Sequence, residues 1–405
     1  MDRIQKLLSV ISVLAILGSI HPALDDLFLL NNAHRIVLIM PFSLAAIWLA
    51  IREKHWGRYV VPPLIALIIA ACWAIGRTLP TPLLGKPAFV QSAASLAIGT
   101  PFVFISAWLV RKTPRLTGLT IFLLGLAALL PFAFLFFISG ESSDGFRAVS
   151  TISTDPNYQN AAFFIGFVPT FFLSRIVVQK KISVIDGVFY IIGVVFMLLT
   201  GARGSVVAEV CLAIVALIML AKHIFKSVKS IITSVLTLGA VASVLAFCMT
   251  FFSDYFLVLY RFSILKGGTD PSRRLFLFTS AFQLWTSSFI TLLIGDGLGG
   301  FPRYIGAFGP GMYPHNYFLE FLSETGIIGT LPIATLTIMA CQPRKCSTVW
   351  ETYIYMLAIY AVISNQFSGG ISGFWLPAYF IFLSIAVAAE SKKNVPDIAQ
   401  PLGSH

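Results

Sequence analysis

Residues 116–138 read LTGLTIFLLGLAALLPFAFLFFI, 23 residues without one charged side chain. As an α-helix this run extends about 35 Å, enough to cross the ~30 Å hydrocarbon core of a bilayer. Arg111, Lys112 and Arg115 stand just before it. A long apolar run with a basic flank predicts a transmembrane helix anchored on one side.

The rest of the chain repeats that pattern. Of its 405 residues, 57% are apolar and only 11% are charged, with 36 phenylalanines. Soluble domains carry about 25% charged residues. This composition excludes a soluble enzyme, a disordered chain and a disulfide-stapled module. Twelve runs satisfy the length requirement for a span, some with their flanks: 4–20, 36–51, 59–75, 88–110, 116–138, 161–178, 184–199, 204–221, 230–252, 318–340, 352–363 and 376–389. The first begins among Arg3 and Lys6 like a signal peptide but lacks a small-residue cleavage site, which predicts an uncleaved span. The expectation is an all-α polytopic membrane protein of about 12 transmembrane helices. Spans one to nine occupy 1–252, a polar segment occupies 253–317, and the last three spans with a tail occupy 318–405.

The net charge of +11 signals nucleic acid only if the basic residues share a soluble surface. With the N-terminus inside, 18 of the 28 fall in cytoplasmic segments. The charge is therefore read as topology, with both termini cytoplasmic and no nucleic-acid partner. The five cysteines have no metal-ligand spacing and no disulfide framework.

Within the polar outer segment, 274–287 (RLFLFTSAFQLWTS) predicts an amphipathic helix, with Leu275, Phe278, Phe282 and Trp285 at helical spacing. Asp270-Pro271-Ser272 marks its start, and the glycine-rich 295–300 breaks structure after it. Those glycines lack the spacing and flanking strand of a dinucleotide site. No internal repeat is visible.

Ionisable groups at membrane boundaries are candidates for chemistry. Arg203 lies among small residues between two apolar runs, as either an interfacial anchor or an anion ligand. Arg273 and Arg274 open the amphipathic helix, as either solvated loop charges or phosphate ligands, which a planar guanidinium suits. His315 begins HNYFLEFLSETG and is the only histidine of the outer segment. A neutral imidazole there is either an interfacial hydrogen-bonding group or a base for a hydroxyl proton. Asn316 follows it, and Glu320 and Glu324 continue into the run, either orienting His315, pairing an arginine or holding the helix in register. Asp155 and Asn157 read first as turn residues before a helix. Glu209, well inside a span, must be protonated or paired. There is no Walker A motif, no HExxH and no D-x-D, so the expected chemistry uses neither metal nor cofactor.

In order, Asp155-Pro156-Asn157, Arg203-Gly204, Ser272-Arg273-Arg274-Leu275, the glycines of 295–299, and His315-Asn316 with Glu320, Glu324 and Gly326-Ile327-Ile328-Gly329 resemble the O-antigen ligase and polymerase family of bacterial envelopes. The motif resemblance covers about 150–330. It implies a GT-C-type glycosyltransferase of the bacterial inner membrane with a periplasmic active site. The donor would be a glycan on undecaprenyl pyrophosphate, and the ligase's acceptor a sugar hydroxyl of the lipid A core, with inversion and without metal. By resemblance, Arg203 and Arg274 grip the pyrophosphate and His315 activates the acceptor; Arg274 fits the pattern better than Arg273 because leucine follows it. A polymerase using the same donor is the alternative within the family, and a lipid-linked glycan transporter the alternative outside it. The transporter fits less well, because such proteins carry repeat symmetry and midplane charges.

Overall fold

A computed structural model describes residues 2–18, 87–139, 158–181, 183–200, 202–224, 271–306, 313–344, 346–367 and 369–393. Among them the secondary structure is entirely helical. Three expected spans, 36–51, 59–75 and 230–252, lie outside these residues, as do Asp155 and Asn157.

In chain order the helices are α1 (Asp2–Gly18), α2 (Pro87–Ala94), α3 (Thr100–Val110), α4 (Pro114–Ser139), α5 (Tyr158–Ile165), α6 (Phe167–Gln179), α7 (Val184–Leu199) and α8 (Arg203–Ile224). A π-helical turn, Ser95–Gly99, joins α2 to α3. Then follow α9 (Pro271–Trp285), α10 (Phe289–Ile294), α11 (Gly300–Tyr304), α12 (Tyr317–Cys341), α13 (Val349–Asn365) and α14 (Trp375–Lys393). Among the described residues, four helical stretches are long and apolar enough to cross a membrane: Ser92–Val110, Gln159–Gln179, Gly204–Ala221 and Tyr317–Cys341.

Local chemistry sets the boundaries. Proline at the first position starts α4, where a missing N–H costs nothing. Thr348 caps α13 by accepting the Glu351 N–H at 3.2 Å. Lys180 ends α6 in the left-handed conformation (φ 53°).

The centre is α13, buried from Thr352 to Ala361. Its tyrosines bring polar tips into an apolar core, so each needs an acceptor. Tyr353 donates to the Phe167 carbonyl at 3.0 Å and Tyr360 to the Ala162 carbonyl at 3.2 Å. Gly166, between α5 and α6, leaves the space that the Tyr360 hydroxyl occupies. Phe163 stacks on Tyr360 with centroids 5.4 Å apart, and Phe167 meets Phe380 edge-on at 5.5 Å.

The outside of the bundle is as apolar as the inside. Val210, Ile214, Leu217 and Ile218 form an exposed stripe on α8, and Val184, Ile185, Val188 and Ile192 do so on α7. Water does not favour such stripes; hydrocarbon does. The chain is a helical membrane protein.

The two ends of the bundle differ in charge. At one, Arg111 reaches Glu390 at 3.1 Å and lies 3.8 Å over the Trp108 ring. Arg175 pairs with Asp186 at 3.1 Å across the α6–α7 turn, and Arg344 donates to the Ser384 carbonyl at 2.8 Å. This end gathers the basic residues around 111–115, 175–181 and 344. The opposite end gathers the residues considered next.

Candidate functional site

His315 and Asn316 form the entry to α12. Asn316 is extended, and its side-chain oxygen accepts the Leu319 N–H at 3.0 Å, fixing the first turn. His315 is held left-handed at φ 55°, a region where histidine is enriched among non-glycine residues. Its ring lies against Tyr313, with centroids 4.2 Å apart.

Behind that pair stands Glu320, buried one turn into α12. Its Oε2 accepts the Ile371 N–H at 3.0 Å, which ties α12 to the turn between α13 and α14. Gly370 makes the close approach possible. A Cβ there would come within 2.6 Å of the Glu320 Oε2 and 2.8 Å of the Tyr313 ring. Tyr313, Gly370 and Glu320 therefore form one packed wall beside His315.

Glu324 is also buried but turns elsewhere. Its Oε1 accepts the Phe301 N–H at 3.3 Å, at the start of α11. Nearby, α12 is broken at Gly326 (φ 65°, ψ −170°). The break frees backbone carbonyls, which must find other donors. The Ser323 carbonyl accepts the Asp296 N–H at 3.0 Å, and the Glu324 carbonyl accepts the Gly297 N–H at 2.9 Å. Asp296 also forms an ion pair with Arg303. The glycine-rich segment is thus a clamp on the broken helix.

Arg203 is the first residue of α8. The following residues fix that helix start to the end of α13. Ser205 and Ser364 share a hydroxyl hydrogen bond at 3.2 Å, and Gly204 packs on Phe367 and the Ser364 carbonyl. Since 364–371 leads directly to the Glu320 contact, the start of α8 and the entry to α12 share one end of the bundle. The side chain of Arg203 lies outside the described residues, as does that of Arg273.

Arg274 is half-buried at the head of the stripe Leu277, Ala281 and Leu284, which packs α9 on Phe301, Ile305 and Leu319. The apolar residues at helical spacing do not all face this packing. Leu275 and Phe282 point outward, 65% and 51% exposed. Both faces of α9 are apolar, so periodicity alone could not choose between them.

Glu209 sits in the bundle interior, away from the entry to α12. Its Oε2 accepts the Thr170 hydroxyl at 3.1 Å, joining α8 to α6; no hydrogen bond reaches Oε1 among the described residues. Sequence reading had no signal for Thr170, 39 residues away. It also passed over Tyr313, although Tyr313-Pro314-His315 is contiguous, and over the adjacent Gly369-Gly370 pair.

Among the described residues, no three His, Cys, Asp or Glu side chains gather as metal ligands. The end of the bundle thus offers an imidazole held against a tyrosine ring, a packed wall, and helix starts carrying arginines at 203 and 273–274. These are parts suited to an anion and a hydroxyl. The chain matches no protein-family model, no curated protein and no solved structure.

Proposed function

We propose that this protein is a membrane glycosyltransferase of the O-antigen ligase type. It transfers a glycan from undecaprenyl pyrophosphate to a sugar hydroxyl of the lipid A core, at the periplasmic face of the bacterial inner membrane. One observation carries the reading: the entry to α12 with His315, the start of α8 with Arg203, and the α9 helix with Arg274 all belong to the end of the bundle opposite the basic one. By the positive-inside tendency, we read that end as periplasmic.

In this reading the Arg203 and Arg274 guanidiniums hold the donor's pyrophosphate. They neutralise the charge that grows as the anomeric carbon–oxygen bond breaks. His315 takes the proton of the acceptor hydroxyl, whose oxygen forms the new bond from the opposite face, so the anomeric centre inverts. Such a base contributes about 10²–10⁴-fold. Neither metal nor cofactor has a step in it.

The test is reconstitution in liposomes with a synthetic undecaprenyl-pyrophosphate glycan, offering lipid A core and a second donor as competing acceptors. A discrete glycosylated lipid A core supports the ligase. A ladder of longer glycans on the lipid carrier identifies a polymerase, and movement of donor across the bilayer without transfer identifies a transporter.

A further inference from the structure

From Leu275 to Ile294 the chain runs for 20 residues without a charged side chain, although it lies between α8 and α12, outside every expected span. It forms α9 and α10, separated by a short turn that Ser288 caps by accepting the Thr291 N–H at 3.0 Å. One face is occupied: Leu277, Ala281 and Leu284 pack on Phe301, Ile305 and Leu319. The other is open and uncharged, with Leu275, Phe276, Phe282, Phe289 and Ile290 all more than half exposed, beside exposed Thr279 and Gln283. A loop in water would place charges on this side; this one has none.

The depth of these helices identifies what covers them. The clamp sets Leu293–Gly295 directly against Glu324–Gly326 of α12. Beyond Gly326, the charge-free part of α12, 327–341, has 15 residues and extends only about 22 Å. The hydrocarbon core needs about 30 Å. It must therefore continue roughly five residues past Gly326, towards the start of α12, and α10 sits beside that level. On the other side of Gly326, α12 exposes Ile327, Ile328 and Leu331, as α10 exposes Phe289 and Ile290.

We propose that the outward face of α9 and α10 is seated in the bilayer boundary at the end opposite the basic one, and that lipid covers Leu275, Phe276, Phe282, Phe289 and Ile290. This rests on the membrane character of the fold and not on the transferase reading. It gives the two helices a partner of defined chemistry: the junction between acyl chains and headgroups. Arg274 immediately precedes the charge-free stretch, and Asp296, paired with Arg303, follows it, so both ends carry charge.

The test replaces Phe276, Phe282 or Phe289, one at a time, by p-acetylphenylalanine in the full chain, keeping an aromatic ring and all native cysteines. A ketoxime nitroxide is attached and the protein reconstituted in liposomes. Collision rates with oxygen, which partitions into lipid, are compared with those of a water-soluble nickel chelate. References are labels at lipid-facing Leu331 and at Tyr304 beside Arg303. Size-exclusion profiles matching the unlabelled protein select the folded variants. At 276, 282 and 289 the oxygen-to-nickel ratio is expected to approach that at Leu331 and to exceed that at Tyr304 several-fold. A nickel-dominated ratio at all three would place the face in water and overturn the proposal. Poor access to both reagents, with spin–spin broadening between molecules, would assign the face to a second copy and overturn it as well.

Discussion

Gly295 and Gly326 lie backbone against backbone: a Cβ on Gly295 would overlap the Glu324 carbonyl, and one on Gly326 would overlap the Leu293 carbonyl. Both are left-handed, at φ 72° and 65°. This reciprocal fit lets Asp296 and Gly297 supply the N–H donors that the broken α12 requires. The glycine-rich segment and the helix carrying His315 are therefore one mechanical unit.

Gly326→Ala combines an overlap with a backbone conformation essentially restricted to glycine. It should cost about 3 kcal/mol or more. By contrast, Gly187→Ala on α7 meets nothing within 4 Å and should be neutral or stabilising by about 0.5–1 kcal/mol. Thermal unfolding of both variants in the same detergent checks the contrast. Similar melting temperatures would remove the clamp from the account of stability.

At the basic end, Arg111 is nearly fully buried and holds Glu390, the Trp108 carbonyl and the Trp108 ring. Removing the carboxylate with Glu390→Gln leaves a buried cation less compensated, at a cost of about 3 kcal/mol. Arg111→Lys should fail similarly, since an ammonium cannot both stack and fork. A double-mutant cycle with Arg111→Met is expected to give strong coupling; additive effects would mean that the pair acts independently.

These contacts mark what sequence reading could reach. Apolar runs were legible because a span depends on local hydropathy. The helix over 271–285 was legible too, close to its expected 274–287, but not which side packs, because Leu275 and Leu277 are equally apolar. Glu320 and Glu324 were visible as costly carboxylates, yet their partners, the N–H groups of Ile371 and Phe301, are 51 and 23 residues away. A backbone donor carries no sequence signature. Gly326 looked like any glycine in an apolar helix, and only its φ reveals the break.

Glu320 holds the wall beside His315 through one acceptor, so Glu320→Gln retains that role and Glu320→Ala does not. The alanine leaves the Ile371 N–H unsatisfied, at about 1–3 kcal/mol. Gly370→Ala should disturb the same place from the other side, by pushing on Tyr313 and Glu320. Glycan transfer per folded protein should fall for Glu320→Ala and Gly370→Ala while Glu320→Gln stays close to the parent. Equal loss in all three would point to the carboxylate's charge instead of its hydrogen bond.

The proposed pyrophosphate contacts are tested by Arg203→Lys and Arg274→Lys. Lysine keeps the charge but not the two parallel donors that a phosphate accepts from a guanidinium. Both variants should lose most transfer, with donor binding weakened. Activity should also survive EDTA. Retained activity in Arg203→Lys would reduce its role to general charge, and a loss on chelation that Mg²⁺ restores would require a metal step.

His315 is the sharpest point of the proposal, because its conformation and its neighbours have separate consequences. The imidazole is held by a left-handed backbone and by the Tyr313 ring, 4.2 Å away. Asn316 caps α12 independently through Leu319, so His315→Ala should remain folded and inserted while transfer falls by about 10²–10⁴-fold, the contribution of a positioned base. Tyr313→Phe keeps the ring and should retain most activity, whereas Tyr313→Ala frees the imidazole and should lower the maximal rate more than it raises the apparent KM. Rates measured across pH separate base from scaffold. In the parent, transfer should rise as the imidazole loses its proton, and that limb should vanish in His315→Ala. Should the limb persist in the alanine variant, the base would have to be sought elsewhere at this end of the bundle.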